Sequence, residues 1–141
     1  MFEERGDGAF EHTLHGGAAP MRMQWYFREA TALPVAVQRW ELPPGGTEGM
    51  HAHPIGEAAL EELYVLLEGR VVTHVDGITY DLAPGDAVLA PAGSDHDLQN
   101  TGRDPAVVLV IWGPPTGALD WTRYSSGRKA RAAAESACGD A

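Results

Sequence analysis

Apolar residues in this chain fall into short runs, several of them alternating with polar positions, and each run is cut off by glycine, proline or aspartate. Such runs, rich in β-branched and aromatic residues, predict strands. They fall at residues 22–29, 35–42, 49–53, 62–68, 70–76, 78–82, 86–90, 95–99 and 105–112. The punctuation between them is strong: Pro43-Pro44-Gly45-Gly46, Asp76-Gly77, Pro84-Gly85-Asp86 and Pro91-Ala92-Gly93. Asp76-Gly77 has the form of a two-residue hairpin turn. Many short strands without helices between them predict an all-β sandwich or barrel. Residues 1–19 hold no sustained period and read as an N-terminal arm, 20–113 as the β-barrel domain and 114–141 as a C-terminal tail. The alanine-rich stretch near 129–138 suits a short helix, marginal unless docked. Trp121 and Tyr124 are expected to fold back onto the outside of the barrel.

Side-chain parity along strands sorts the candidate interior. Glu62 and Tyr64 share one face, as do Gln38, Trp40 and Leu42, and again Val108, Val110 and Trp112. Trp25 and Phe27 are placed to close a rim, and Arg39 is expected on the outer face.

Composition narrows the partners. At 141 residues the chain holds one domain with a real core, and its 17 glycines and 10 prolines suit a turn-rich β fold. A formal net charge of −10 argues against nucleic acid, whose phosphates require a basic face. No apolar run approaches the roughly 20 residues that cross a bilayer. The acidic N-terminus lacks the features of a signal peptide, which predicts a cytoplasmic protein. The lone Cys138 has no internal partner and no basic neighbour to activate it.

Histidine spacing adds chemistry. His51 and His53 alternate on one extended segment, Glu62 opens a strand, and His96 follows much later. If those strands meet, three imidazoles and a carboxylate converge as ligands for a single divalent metal. The frame is specific. Gly45 is followed after five residues by His51, then after one by His53, after eight by Glu62 and after six by Gly69. The second segment runs Gly85, five residues, Pro91, one residue, Gly93, two residues, His96, three residues, Asn100.

This pair of segments resembles the two motifs of the cupin superfamily, over about residues 35–112. The resemblance implies a single jelly-roll β-barrel in which His51, His53, Glu62 and His96 bind one divalent transition metal. Fe(II) is favoured, with Zn, Mn, Ni, Co or Cu also suited to such donors. Asn100 and Gly93 are expected to be structural. One departure from the family pattern leaves a choice open: three or four residues usually separate the second histidine from the glutamate, and Glu57 meets that spacing. The six-residue gap to Gly69 favours Glu62, whereas Glu61 has the wrong parity. Glu57, on the inserted loop, and Tyr64, beside Glu62, are the candidate catalytic groups for proton transfer. His74 reads as an ordinary strand residue, and His12 and His15 as exposed positions of the arm.

The function expected from these residues is a metal-dependent enzyme acting on a small, oxygen-rich metabolite. Its chemistry is either Fe(II)/O2 oxygenation or Lewis-acid isomerase, cyclase or lyase chemistry. The alternative is a non-catalytic barrel that binds a small ligand or metal as sensor or carrier. A homodimer is expected too, because the first aromatic strand presents an edge that wants covering.

Overall fold

The computed structural model describes residues 1–115 and 119–139. Ten strands form in chain order: β1 (Phe10–His12), β2 (Met21–Trp25), β3 (Ala36–Leu42), β4 (Thr47–Ala52), β5 (Glu61–Glu68), β6 (Val71–Val75), β7 (Ile78–Leu82), β8 (Ala87–Ala90), β9 (Asp95–Asn100) and β10 (Ala106–Gly113). One sheet runs β1-β2-β3-β10-β5-β8 and the other β4-β9-β6-β7. All pairs are antiparallel.

Period-two patterning builds the interior. In β3 every second residue, Ala36, Gln38, Trp40 and Leu42, is buried. Tyr64 and Leu66 from β5 and Val108 and Val110 from β10 meet Val71, Val75, Leu82 and Leu98 of the other sheet in one cluster. The two sheets therefore face each other as a jelly roll, with no ladder joining them among the described residues. The β6–β7 hairpin turns at Asp76-Gly77, whose φ angles of 49° and 78° are the left-handed pair that a type I′ turn needs. Asn100 closes the motif it ends: its side-chain amide donates to the carbonyls of Leu42 and Asp104.

The ends of the chain differ from expectation. The arm contains β1, which pairs along β2 and covers the edge on which the expectation of a homodimer rested. Strand β2 stops at Trp25 instead of running to residue 29. Phe27 adopts a left-handed φ of 49°, and its carbonyl accepts from the N–H groups of Ala30 and Thr31, which folds the chain into a turn. The tail forms a 3-10 turn (Trp121–Arg123), capped by Asp120, and then helix α1 (Ser125–Gly139). Trp121 and Tyr124 remain 65% and 53% exposed, so they do not fold onto the barrel. The helix carries alanine, serine and charged residues but no large apolar side chain that a barrel surface would bury. No helix among the described residues is long and apolar enough to cross a membrane.

Candidate metal centre

Strands β4 and β9 lie side by side with His51 directly opposite His96. His53 follows just beyond β4, and β5 of the facing sheet brings in Glu62. The ligand atoms of His51, His53, Glu62 and His96 all lie within 4.8 Å of one another. Glu62 Oε2 stands 2.9 Å from His53 Nε2 and 3.4 Å from His96 Nε2.

Backbone carbonyls aim two of the rings. His51 Nδ1 lies 2.8 Å from the Gly49 carbonyl and His96 Nδ1 2.9 Å from that of Ser94. A carbonyl only accepts, so each Nδ1 carries a proton; His51 Nε2 is left as an acceptor, whereas His96 Nε2 faces the Glu62 carboxylate. His51 Nε2 is buried with no hydrogen-bond partner. An orphaned buried acceptor is costly, and its place within 4.8 Å of three other donor atoms fits a metal ion. Three imidazole nitrogens and one carboxylate match a borderline divalent transition metal.

The electrostatics of His51 and Glu62 agree with that fit. Burial, with the neighbouring imidazoles of His96, His15 and His53, depresses His51 to about 4, against the Gly49 bond that favours its charged form, so the ring is neutral at neutral pH. Burial alone would raise Glu62, but hydrogen bonds from His96 and His53 outweigh it and hold the carboxyl below its usual range. Burial opposes charge on His96 as well, yet the Glu62 carboxylate lifts it above the ordinary histidine value.

The expected residues are not all brought together. Glu57 sits exposed on the 3-10 turn Gly56–Ala58, outside the group of four. Tyr64 points inward but is fully buried, and its hydroxyl donates to Glu48 Oε2 at 2.7 Å. It does not line the cavity beside the cluster. Trp25 lines that cavity, whereas Phe27 does not. Arg39 stays out of it and pairs with Glu41, and His74 pairs with Asp97 at 2.8 Å.

Glu48 and His15 are the residues that sequence reasoning missed. Glu48 lies opposite Leu98 while His51 lies opposite His96, so Gly49 and Met50 together oppose the single Asp97. This β-bulge lets Glu48 and His51, three residues apart, both face inward. Gly49 inside a strand is the sign of it. Glu48 is 1% exposed. Burial first, and then the Glu62 carboxylate, push its carboxyl up to about 9 against the pull of the Tyr64 hydroxyl, so Glu48 is protonated at neutral pH.

His15 comes from the arm. Its ring stacks on His51 with centroids 3.5 Å apart, and its Nε2 lies 3.8 Å from Glu48 Oε1. The arm reaches this position because glycines allow backbone to touch backbone: a Cβ at Gly17 would meet the Thr47 carbonyl at 1.8 Å, and one at Gly49 the His15 carbonyl at 1.9 Å. His12 and His15 are exposed, as expected, yet both line the cavity. Glu48, His15 and His51 form a second group of metal-binding type. It shares the one free nitrogen of His51 with the first group, so it is not an independent site. The cavity itself measures about 370 Å³ and reaches Glu48, His53 and Glu62.

A two-sheet jelly roll whose interior gathers imidazoles and a carboxylate next to a cavity defines a small barrel protein with a candidate metal site. The chain belongs to the cupin family: the profile described as "Cupin domain" matches residues 38–112. It is 34% identical over 73 residues to the Oxalate-binding protein of Thermotoga maritima, covering 52% of this chain and 57% of that protein. A Germin-like protein of Morus alba is 27% identical over 104 residues, 70% of this chain and 48% of its own. The chain thus spans about half the length of the curated relatives it matches. The crystal structure of a predicted oxalate decarboxylase from Thermotoga maritima superposes with a TM-score of 0.70 at 24% identity, covering 80% of this chain and 99% of that one. A Thermus thermophilus structure matches at 32% identity with a TM-score of 0.58, over 67% of this chain and 83% of its own.

Proposed function

We propose that the protein is a mononuclear metal-dependent enzyme acting on a small oxygen-bearing metabolite held in the 370 Å³ cavity. His51, His53, Glu62 and His96 are its metal ligands, with Fe(II) the favoured ion. The observation that supports this reading is the buried, unpartnered Nε2 of His51, within 4.8 Å of the other three donor atoms. When bound, the ion supplies Lewis acidity toward a substrate oxygen and, as Fe(II), redox chemistry with dioxygen.

The chain's own residues contribute neutrality, orientation and a proton. The carbonyls of Gly49 and Ser94 fix the two rings they hold, and ionised Glu62 offsets one positive charge. Glu48 takes over the proton-transfer role first expected of Tyr64 or Glu57. It lines the cavity and keeps its proton, while Tyr64 serves it as a hydrogen-bond donor. A carboxylic acid held neutral at pH 7 in this way is suited to protonate a substrate atom.

Anaerobic purification, metal analysis and Fe(II) loading with a nitric-oxide spectrum test the site. One equivalent of metal in the wild type and its loss in His51→Ala are expected; wild-type protein that takes up no metal sinks the proposal. A non-catalytic reading has its own support, because the Thermotoga maritima relative is named for binding oxalate and neither Tyr64 nor Glu57 reaches the cavity. Metal-loaded protein that binds small oxygen ligands and turns none of them over would favour that reading.

A further inference from the structure

The cavity is built for more than a compact anion. Its volume of about 370 Å³ equals roughly a dozen waters at about 30 Å³ each, far beyond what a two-carbon dianion such as oxalate fills. Phe10, Leu14, Met23, Trp25, Leu60 and Trp112 form its apolar wall. Trp25 and Trp112 meet edge to face with centroids 5.4 Å apart, and they do so across β3, where Trp112 lies opposite the small Ala36. Phe10 and Leu14 belong to the arm, so β1 and the segment after it complete the wall.

The polar groups that line the cavity are His12, His15, Gln38, Glu48, His53 and Glu62. No arginine or lysine is among the described lining residues. A ligand with several negative charges would find no fixed cation there apart from the metal. Sites that take drug-sized molecules have this make-up: a mostly hydrophobic and aromatic wall with a few polar groups that set orientation.

We propose that the site selects a ligand with one chelating oxygen head, of the α-keto-acid or hydroxyketone type, and a flat, apolar body of aromatic size lying against Trp25 and Trp112. The head rests on the metal reading above, whereas the body depends on the wall alone.

Three ligands separate the two parts. Phenylpyruvate and pyruvate share a head and differ by a ring, and oxalate is a chelating head without a body. Calorimetric titration of Co(II)-loaded protein should show phenylpyruvate binding about tenfold tighter, or more, than pyruvate and oxalate. Trp112→Ala should shrink that preference to within about threefold. Phe10→Ala, on a short edge strand outside the core, should shrink it in part and serves if Trp112→Ala does not fold. Equal or tighter binding of oxalate or pyruvate by the wild type overturns the inference and leaves the metal site standing. A preference unchanged in both variants overturns it as well. If the protein takes up no Co(II), the metal reading fails on its own. Phenylpyruvate must then still outbind pyruvate in the metal-free protein for the inference to survive.

Discussion

The barrel buries two carboxylates in neighbouring regions, and they end in opposite states. Glu62 is 3% exposed and Glu48 1%. Glu62 has two imidazole nitrogens within hydrogen-bond distance and stays ionised; Glu48 is hydrogen-bonded only by one phenol, with His15 and His51 Nε2 farther off at 3.8 and 3.7 Å, and in the field of Glu62 it stays protonated. Burial is nearly equal, so burial does not decide the charge. The number and kind of hydrogen-bond partners do. The region around Glu62 is thereby suited to a cation, and the region around Glu48 to the storage of a proton.

The largest expected effect separates the carboxylates by metal affinity. Glu62→Gln keeps the shape and removes the charge, and should weaken metal binding by about a hundredfold or more, read by competition with a chelator. Glu48→Gln and Glu57→Gln should each stay within about threefold of wild type. Equal losses in Glu62→Gln and Glu48→Gln would erase the contrast, because both groups would then be ligands.

The next effect is in the pH dependence of stability of the metal-free protein. Unfolded Glu48 releases its proton near the ordinary carboxylate value of 4.5, whereas folded Glu48 keeps it to about 9. Between those values the folded state binds more protons, so this group makes stability fall as pH rises through the window. Glu62 works the other way: its depressed folded value gives stability present above the ordinary carboxylate range and lost as pH falls through that lower value. Glu48→Gln should remove the first slope. Urea unfolding should show it about 1–3 kcal/mol more stable, relative to wild type, at pH 8 than at pH 5. An unchanged slope would mean that Glu48 is ionised in the fold.

Smaller effects test the supporting groups. Tyr64→Phe removes the donor to Glu48 and should cost about 1 kcal/mol in thermal or urea unfolding, with metal affinity unaltered. His15→Ala removes the ring stacked on His51 and should cost less than about 1 kcal/mol. Its sign is faster hydrogen exchange over residues 10–17 while β5 and β10 stay protected. Faster exchange throughout the barrel would show the arm to be part of the core.

Much of this was legible in the sequence. The nine strands expected between residues 22 and 112 all form, the first of them cut short at Trp25, because turn signals bound their apolar runs. His51, His53, Glu62 and His96 meet because they occupy motif positions, and Glu62 stands where its gap to Gly69 put it. What escaped has physical causes. Strand β1 is only three residues long, all exposed, too short for a period to show. Glu48 is hidden by the bulge, since strict alternation puts Glu48 and His51 on opposite faces. His15 sits beside His51 through backbone contacts at Gly17 and Gly49, which no pattern of side chains records. Trp121 and Tyr124, expected against the outside of the barrel, stay exposed because the helix that follows them brings no apolar face to hold them there.

The bulge in β4 also bears on protein engineering. Without Met50, the segment would read Glu48, Gly49, His51, Ala52, His53, and every second residue would still face the interior. A deletion elsewhere in a site-bearing strand turns everything on one side of it inside out. At Met50 it would shift the Gly49 carbonyl that aims His51 but keep the alternation, so this strand holds one spare residue: a place where the chain can be shortened without its faces losing step.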